Sequence, residues 1–170
     1  MKLIKNKIGR LVPTEINGQE QIPFKGVNKY KPTGNKTKPP IRTCIDYPEN
    51  GNKVVKDLKL ALRKAGLKDG MTISTHHHLR NGDIVTNMLF DTIKEMGLKN
   101  IRWFPSASFP VHSHLIKYLE DGTIHHIEGS MNGPLGKFTS EGKMNGVGVL
   151  RSHGGRYQAI QDGEVHIDIA

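Results

Sequence analysis

Three polar segments carry side chains that could do chemistry: STHHHLRNGD (Ser74–Asp83), PSASFPVHSH (Pro105–His114) and RSHGGR (Arg151–Arg156). In the first, the imidazoles of His76, His77 and His78 stand beside the Arg80 guanidinium and a Gly82-containing turn. That set suits an anion or a polarised carbonyl oxygen, because neutral imidazoles and guanidinium both donate hydrogen bonds. Gly82 permits a tight turn, Asp83 can cap a following helix, and the exposed amides with Arg80 offer a carboxylate cradle. If a strand continues through the triplet, His76 and His78 point one way and His77 the other. A zinc site needs three or four converging ligands, and neither HExxH nor a cysteine pair accompanies the histidines, so no metal is expected.

The third segment packs Ser152, His153, Gly154, Gly155 and Arg156 together. Paired glycines let backbone N–H groups approach a ligand oxygen, and Arg156 can grip a carboxylate by two hydrogen bonds. A Ser–His pair suggests a hydrolase, but neighbours in sequence rarely reach triad geometry and G-x-S-x-G is absent. GSMNGPLGKF (Gly129–Phe138) lacks the spacing of a nucleotide P-loop and reads as part of an irregular Gly-rich connection running to Gly146. The histidines at 112, 114, 125 and 126 read as surface or supporting residues.

Position decides what these segments can do. A helix is predicted from an Asn52 cap through Val54, Val55, Leu58, Ala61, Leu62 and Ala65 to Gly66. Then come a strand 71–75, a helix 85–96 with Val85, Met88, Leu89 and Ile93 on one side, a strand 101–104 and a helix across 114–119. A short strand 123–127, a strand 147–150, an SHGGR turn, a short helical turn and a last strand 165–170 complete the run. Strands alternating with helices predict an α/β domain with a mainly parallel sheet. In such sheets ligands bind beyond the strands' carboxyl ends, and all three polar segments follow strands there. The chain stops on an apolar strand, VHIDIA, and is expected to be the front of a longer protein.

The 170 residues carry 25 Lys/Arg against 16 Asp/Glu. Residues 1–52 hold ten of the basic and four of the acidic groups; residues 53–170 hold fifteen and twelve. The first segment, rich in Pro, Gly, Lys and Asn, cannot bury enough surface to fold alone and is expected to be an extended arm, anchored through Val12 and the Ile22/Phe24 pair. It suits an acidic partner; nothing resembles a basic recognition helix, so nucleic acid is not expected. One cysteine, Cys44, excludes an internal disulfide, and no segment approaches the roughly 20 apolar residues of a membrane span. A cytoplasmic protein is expected.

From Gly66 onward the order GLKDGMTISTHHHLRNGDIVTNMLFDTIKEMGLKNI, GPLG, RSHGGRYQAIQDGEVHIDIA resembles the alpha subunits of citrate lyase, transferases of the CoA-transferase superfamily. The pattern S-x-H-H-x-x-R-x-G-D-x-x-x-N falls on Ser74, His76, His77, Arg80, Gly82, Asp83 and Asn87. His78 and Asn81 lie where the family is not expected to require those residues. Other CoA transferases carry a Gly-rich loop where this chain has HHHLRNGD, which suits the citrate-specific branch rather than direct binding of CoA. The resemblance implies the first half of a CoA-transferase-like fold and an enzyme that exchanges acetate for citrate on an acyl-carrier thioester. It also implies a lyase (beta) subunit, an acyl-carrier (gamma) subunit bearing a CoA-derived prosthetic group, an oligomeric complex, and no cofactor held by this chain directly. The family's nucleophilic glutamate is expected downstream of Ala170, so the catalytic residue is unknown and residues 1–170 alone are expected to be inactive. The substrate-binding candidates are His76, His77, Arg80, Gly82, Ser152, His153, Gly154, Gly155 and Arg156. A sugar-phosphate isomerase-like enzyme of the same superfold and a noncatalytic assembly subunit are the rival readings.

Overall fold

A computed structural model of the chain describes residues 2–23, 54–77 and 79–170. Its centre is a parallel sheet in which β5 (Thr72–Thr75) pairs with β6 (Ile101–Pro105), β6 with the first half of β8 (Ile124–Met131), and β8 with β9 (Val147–Leu150). The two-residue β7 (Ala107–Ser108) runs beside the end of β8. Every pairing is parallel, so all carboxyl ends, and the three polar segments that follow them, reach one edge of the sheet.

Helices cover the sheet because their apolar residues recur at helical spacing. In α2 (Val85–Glu95), Leu89, Phe90 and Ile93 are buried against Ile73, Ile101, Trp103 and Ile127 of the strands. Burying a side chain such as Phe90 or Trp103 stabilises the fold by roughly 1.5–3 kcal/mol. Val85 and Met88, expected inward, are instead exposed, and Thr86 and Phe90 take the inner positions. Helix α1 (Leu58–Lys64) begins later than predicted, where the Asp57 side chain accepts the Leu60 N–H at 2.7 Å; the expected Asn52 cap lies outside the described residues. A 3-10 turn, Pro110–Leu115, leads into α3 (Ile116–Glu120).

Two predicted irregular regions are regular. The Gly-rich stretch contains the end of β8 and α4 (Pro134–Ser140), whose Pro134 opens the helix and whose Leu135 and Phe138, three residues apart, are buried. SHGGR is not a separate turn but the start of α5 (His153–Gln161), with Ser152 as its cap. This helix covers the other sheet face through a small cluster of Phe104, Ala159 and Val165. The predicted last strand is reduced to one bridge, Ile169 beside Ile73, at the outer edge of β5.

Residues 2–23 form two small hairpins, β1 (Leu3–Lys5) with β2 (Leu11–Pro13) and β3 (Glu15–Ile16) with β4 (Gln19–Glu20). Polar side chains of the second hairpin join it to the α/β unit. Asn17 donates to the carbonyls of Met144 and Gly146 at 3.2 and 2.7 Å, and the side chains of Gln19 and His125 meet at 2.8 Å. Ile22 is exposed, and Phe24 lies outside the described residues.

Candidate functional site at the strand ends

Strand β5 ends at Thr75, so the alternation predicted for the histidines does not apply. The rings of His76 and His77 lie parallel, 2° apart in plane, with centroids 5.7 Å apart. His78 lies outside the described residues. The His77 ring is held from its other side by the edge of Phe109, at 4.5 Å, and its backbone N–H donates to the Ser106 hydroxyl at 3.4 Å. Its Nδ1 is buried without a hydrogen-bond partner among the described residues. Burial, reinforced by His76, Arg80 and His153 and opposed by Asp83, pushes the His77 pKa below the ordinary histidine value, so the ring is neutral at pH 7. His153 opens α5 at the same sheet edge, after β9.

Arg80 itself occupies the left-handed region, φ 49°, at the start of a 3-10 turn, Arg80–Gly82. The turn was expected to depend on Gly82, but Gly82 is not in a positive-φ conformation, and a Cβ there would make only an ordinary contact with Leu79. Asp83 is buried and caps α2: its carboxylate accepts the Val85 N–H at 3.0 Å and the Thr86 hydroxyl at 3.2 Å. Asn81 and Asn87 bracket one residue of the neighbouring loop. Asn81 accepts the Val111 N–H at 2.8 Å, and Asn87 donates to the Val111 carbonyl at 3.0 Å. That bracket fixes the loop carrying Phe109 against the loop carrying His77.

Arg156 reaches across the end of the sheet. It donates to the Ser74 hydroxyl at 3.2 Å and to the Phe104 carbonyl at 3.0 Å, and its guanidinium lies 4.5 Å over the Phe104 ring. Its Nε is buried without a partner, and no described carboxylate pairs with it. Burial lowers its pKa, opposed by Glu128, yet a guanidinium stays charged in proteins. The Ser152 hydroxyl accepts the Gly155 N–H at 3.0 Å, so these two groups serve the helix cap, while Gly154 faces open space.

Two buried groups support the site, and one of them, Glu128, was not anticipated. Glu128, only 3% exposed on β8, accepts from Arg151 and meets His126 at 3.0 Å, while Arg151 also holds Glu164 at 2.9 Å. Burial pushes the Glu128 carboxyl up, but hydrogen bonds from His126 and Arg151 outweigh it and hold it below the usual value. His112, read as a surface or supporting residue, is buried and supporting: its Nδ1 accepts the Phe109 N–H at 3.0 Å and its Nε2 faces Asp83 at 3.6 Å. Burial dominates over Asp83 and keeps that ring's pKa low. The signal for Glu128 was a lone acid among the apolar residues of a central strand. Among the described residues no group of His, Cys, Asp and Glu could hold a metal.

The strand-end edge therefore gathers His76, His77, Arg80, His153 and Arg156, with two guanidiniums that no described carboxylate neutralises. The class is a parallel α/β sheet protein with cationic, hydrogen-bonding loops at its carboxyl ends, the edge at which open α/β sheets place their ligands. Residues 51–170 match the family described as citrate lyase, alpha subunit (CitF), and the chain belongs to that family. It is 39% identical to the citrate lyase alpha chain of Escherichia coli K12 over 132 residues, which cover 77% of this chain and 26% of that one. The Klebsiella pneumoniae alpha chain is 41% identical over 119 residues, 69% of this chain and 23% of the relative. A crystal structure of the citrate lyase alpha subunit from Streptococcus mutans, in complex with citrate, superposes with a TM-score of 0.71 at 36% identity. It covers 95% of this chain, which spans 31% of that one. The chain thus spans about a quarter of the length of the curated relatives it matches. Among the described residues, no helix is long and apolar enough to cross a membrane.

Proposed function

We propose that this chain contributes one wall of the active site of a citrate:acyl-carrier transferase, which exchanges acetate for citrate on a carrier thioester within a citrate lyase complex. The observation that carries the reading is the pair of arginines, Arg80 in the turn that follows β5 and Arg156 across the ends of β5 and β6, neither in an ion pair with a carboxylate among the described residues. A polycarboxylate supplies the missing negative charge. In this reading Arg80 and Arg156 bind citrate carboxylates, His76 and His77 donate to a carboxylate or carbonyl oxygen, and His153 closes the pocket from α5. Gly82 and Gly154, which faces open space in the first turn of α5, let the backbone approach the ligand. Citrate binding to the Streptococcus mutans relative supports the ligand class.

The exchange needs an acid whose carboxylate attacks the acetyl thioester: the carbon–sulfur bond breaks to give an anhydride and a thiolate, the thiolate attacks the acid's own carbonyl and expels acetate, and citrate then displaces the acid from sulfur through a second anhydride by the same two steps. Glu128 does not fit that role, being buried and bound to Arg151 and His126. The resemblance to the family implies a nucleophile outside residues 1–170, and the reading places it there. A beta (lyase) subunit and a gamma subunit carrying the CoA-derived prosthetic group complete the assembly. Residues 1–52 serve in it as a basic arm and residues 53–170 as the α/β domain.

The test is citrate-dependent acetate release from an acetyl thioester by the complete subunit and its partners. Replacing Arg156 by Ala leaves a bound carboxylate without its charge-assisted hydrogen bonds and lowers kcat/KM for citrate by about 100-fold. Release that ignores citrate, or an Arg156→Ala variant with unchanged kcat/KM, refutes the reading.

A further inference from the structure

The 3-10 turn between β7 and α3 carries a buried histidine to which the transferase reading gives no task. His112 is 1% exposed and lies edge-on to Trp103, with ring centroids 6.1 Å apart. It exchanges two hydrogen bonds with Phe109: its backbone N–H donates to the Phe109 carbonyl at 2.9 Å, and its Nδ1 accepts the Phe109 N–H at 3.0 Å. Phe109 precedes Pro110 and takes the extended backbone which that position favours, φ −133° and ψ 170°. Standing before the turn, its N–H has no carbonyl of that turn to bond, and the His112 ring supplies the acceptor.

Because Nδ1 accepts a hydrogen bond, the neutral ring carries its proton on Nε2, the atom that lies 3.6 Å from the Asp83 carboxylate. A cationic ring donates from both nitrogens and cannot hold the Phe109 N–H, so the contact requires the neutral form that burial favours. Phe109 in turn touches the strand-end site, since its ring packs edge-on against His77 with centroids 4.5 Å apart. The Asn81 and Asn87 bracket holds Val111, whereas His112 holds Phe109 itself.

We propose that His112 is a positioning residue for the strand-end site: its imidazole fixes the Phe109 backbone, and through the Phe109 ring it sets the orientation of His77. The inference rests on the transferase reading for what His77 does to a ligand, while the linkage itself lies inside the α/β unit. Burial acts on the His77 ring most strongly, followed by His76, Arg80, Asp83 and His153. Withdrawing the Phe109 ring lessens the burial and leaves those four groups in place, so His77 then protonates nearer the ordinary histidine value. Asparagine can replace the acceptor, because its Oδ1 branches from Cγ as Nδ1 does; leucine fills a similar space and accepts nothing.

The experiment compares His112→Leu, His112→Asn and Phe109→Leu in the complete subunit with isotope-labelled histidine, the His77 signal being identified by its loss in a His77→Asn variant. His77 titration is followed by NMR, and citrate-dependent acetate release from an acetyl thioester is measured with the partner subunits. In His112→Leu and in Phe109→Leu the His77 signal moves and titrates at a higher pH than in the wild type. In both, kcat/KM for citrate falls by about tenfold or more, toward the roughly 100-fold that a misplacement of about 1 Å costs. His112→Asn keeps the wild-type His77 titration and a kcat/KM within about threefold of wild type. An unchanged His77 titration in a folded His112→Leu protein overturns the inference, and so does an Asn variant as impaired as the Leu variant, which makes the ring's bulk and not its acceptor the cause. If His112→Leu does not fold, the other two variants decide: a changed His77 titration in His112→Asn, or an unchanged one in Phe109→Leu, overturns it. A His77 signal that responds as expected in a subunit without citrate-dependent acetate release overturns the transferase reading and leaves the positioning role in place.

Discussion

Replacing Arg151 by Met removes the main partner of a carboxylate that is 3% exposed. Glu128 then keeps only His126, and breaking a buried ion pair from one side costs about 3–5 kcal/mol. Because the Arg151 side chain is itself 26% exposed, water reaches the pair and the lower end, about 3 kcal/mol, applies. For a chain of this size that corresponds to a fall in Tm of about 6–12 °C near neutral pH. The pH dependence gives a sharper check. In the wild-type protein the folded Glu128 pKa lies below its unfolded value, so its contribution is present above the ordinary carboxylate range and fades as pH falls through the folded pKa. In the variant, burial acts with less opposition and raises the folded pKa, so the variant loses stability as pH rises instead. Thermal unfolding followed by circular dichroism at pH 5 and pH 7.5 reads both effects. A Tm within about 2 °C of wild type at pH 7.5, or a gap that does not narrow at pH 5, refutes the assigned ion pair.

Other outcomes follow from single contacts. Asp83→Ala removes the α2 cap and leaves Thr86 without its acceptor, lowering stability by about 1–2 kcal/mol in chemical denaturation. Gly129→Ala brings a Cβ to 2.2 Å from the Pro105 carbonyl oxygen, so β6 and β8 must part there; a loss of about 3 kcal/mol or more is expected, and an unchanged unfolding midpoint contradicts the strand pairing. In an NMR titration His77 protonates at a lower pH than an ordinary histidine, and in an Arg80→Ala variant its pKa rises as one nearby positive charge is lost.

Periodicity made the strands β5, β6 and β9 and the helix α2 legible, because each carries an apolar run bounded by glycine or polar turns. The orientation of α2 was not, since Val85 and Met88 fit a helical stripe as well as Phe90 does; only packing on Trp103 and Ile73 selects Phe90. Helix α4 was hidden by its glycines, although Pro134 at its start with Leu135 and Phe138 three apart is a helix signal. The β3–β4 hairpin was announced by Asn17-Gly18, whose positive φ values of 48° and 76° are those a tight hairpin turn needs, but its strands are only two residues long. For the site, residue types marked His77, Arg80 and Arg156, and the motif included Ser74, whereas their geometry also depends on Ser106 and Phe109, which no short pattern singles out.

The single bridge at the outer edge of β5 bears on how the molecule comes into being during synthesis. Ile169 lies beside Ile73, the Ser74 N–H donates to the Ile169 carbonyl at 2.8 Å, and the Thr72 N–H donates to the Asp168 side chain at 2.8 Å. Residues almost a hundred positions apart thus seal the first strand of the sheet. A nascent chain emerging from the ribosome exposes that edge until residue 169 has been made, and contacts of such long sequence separation form late. An unpaired apolar edge is a template for misassembly during that interval, and the segment after α5 is what ends it.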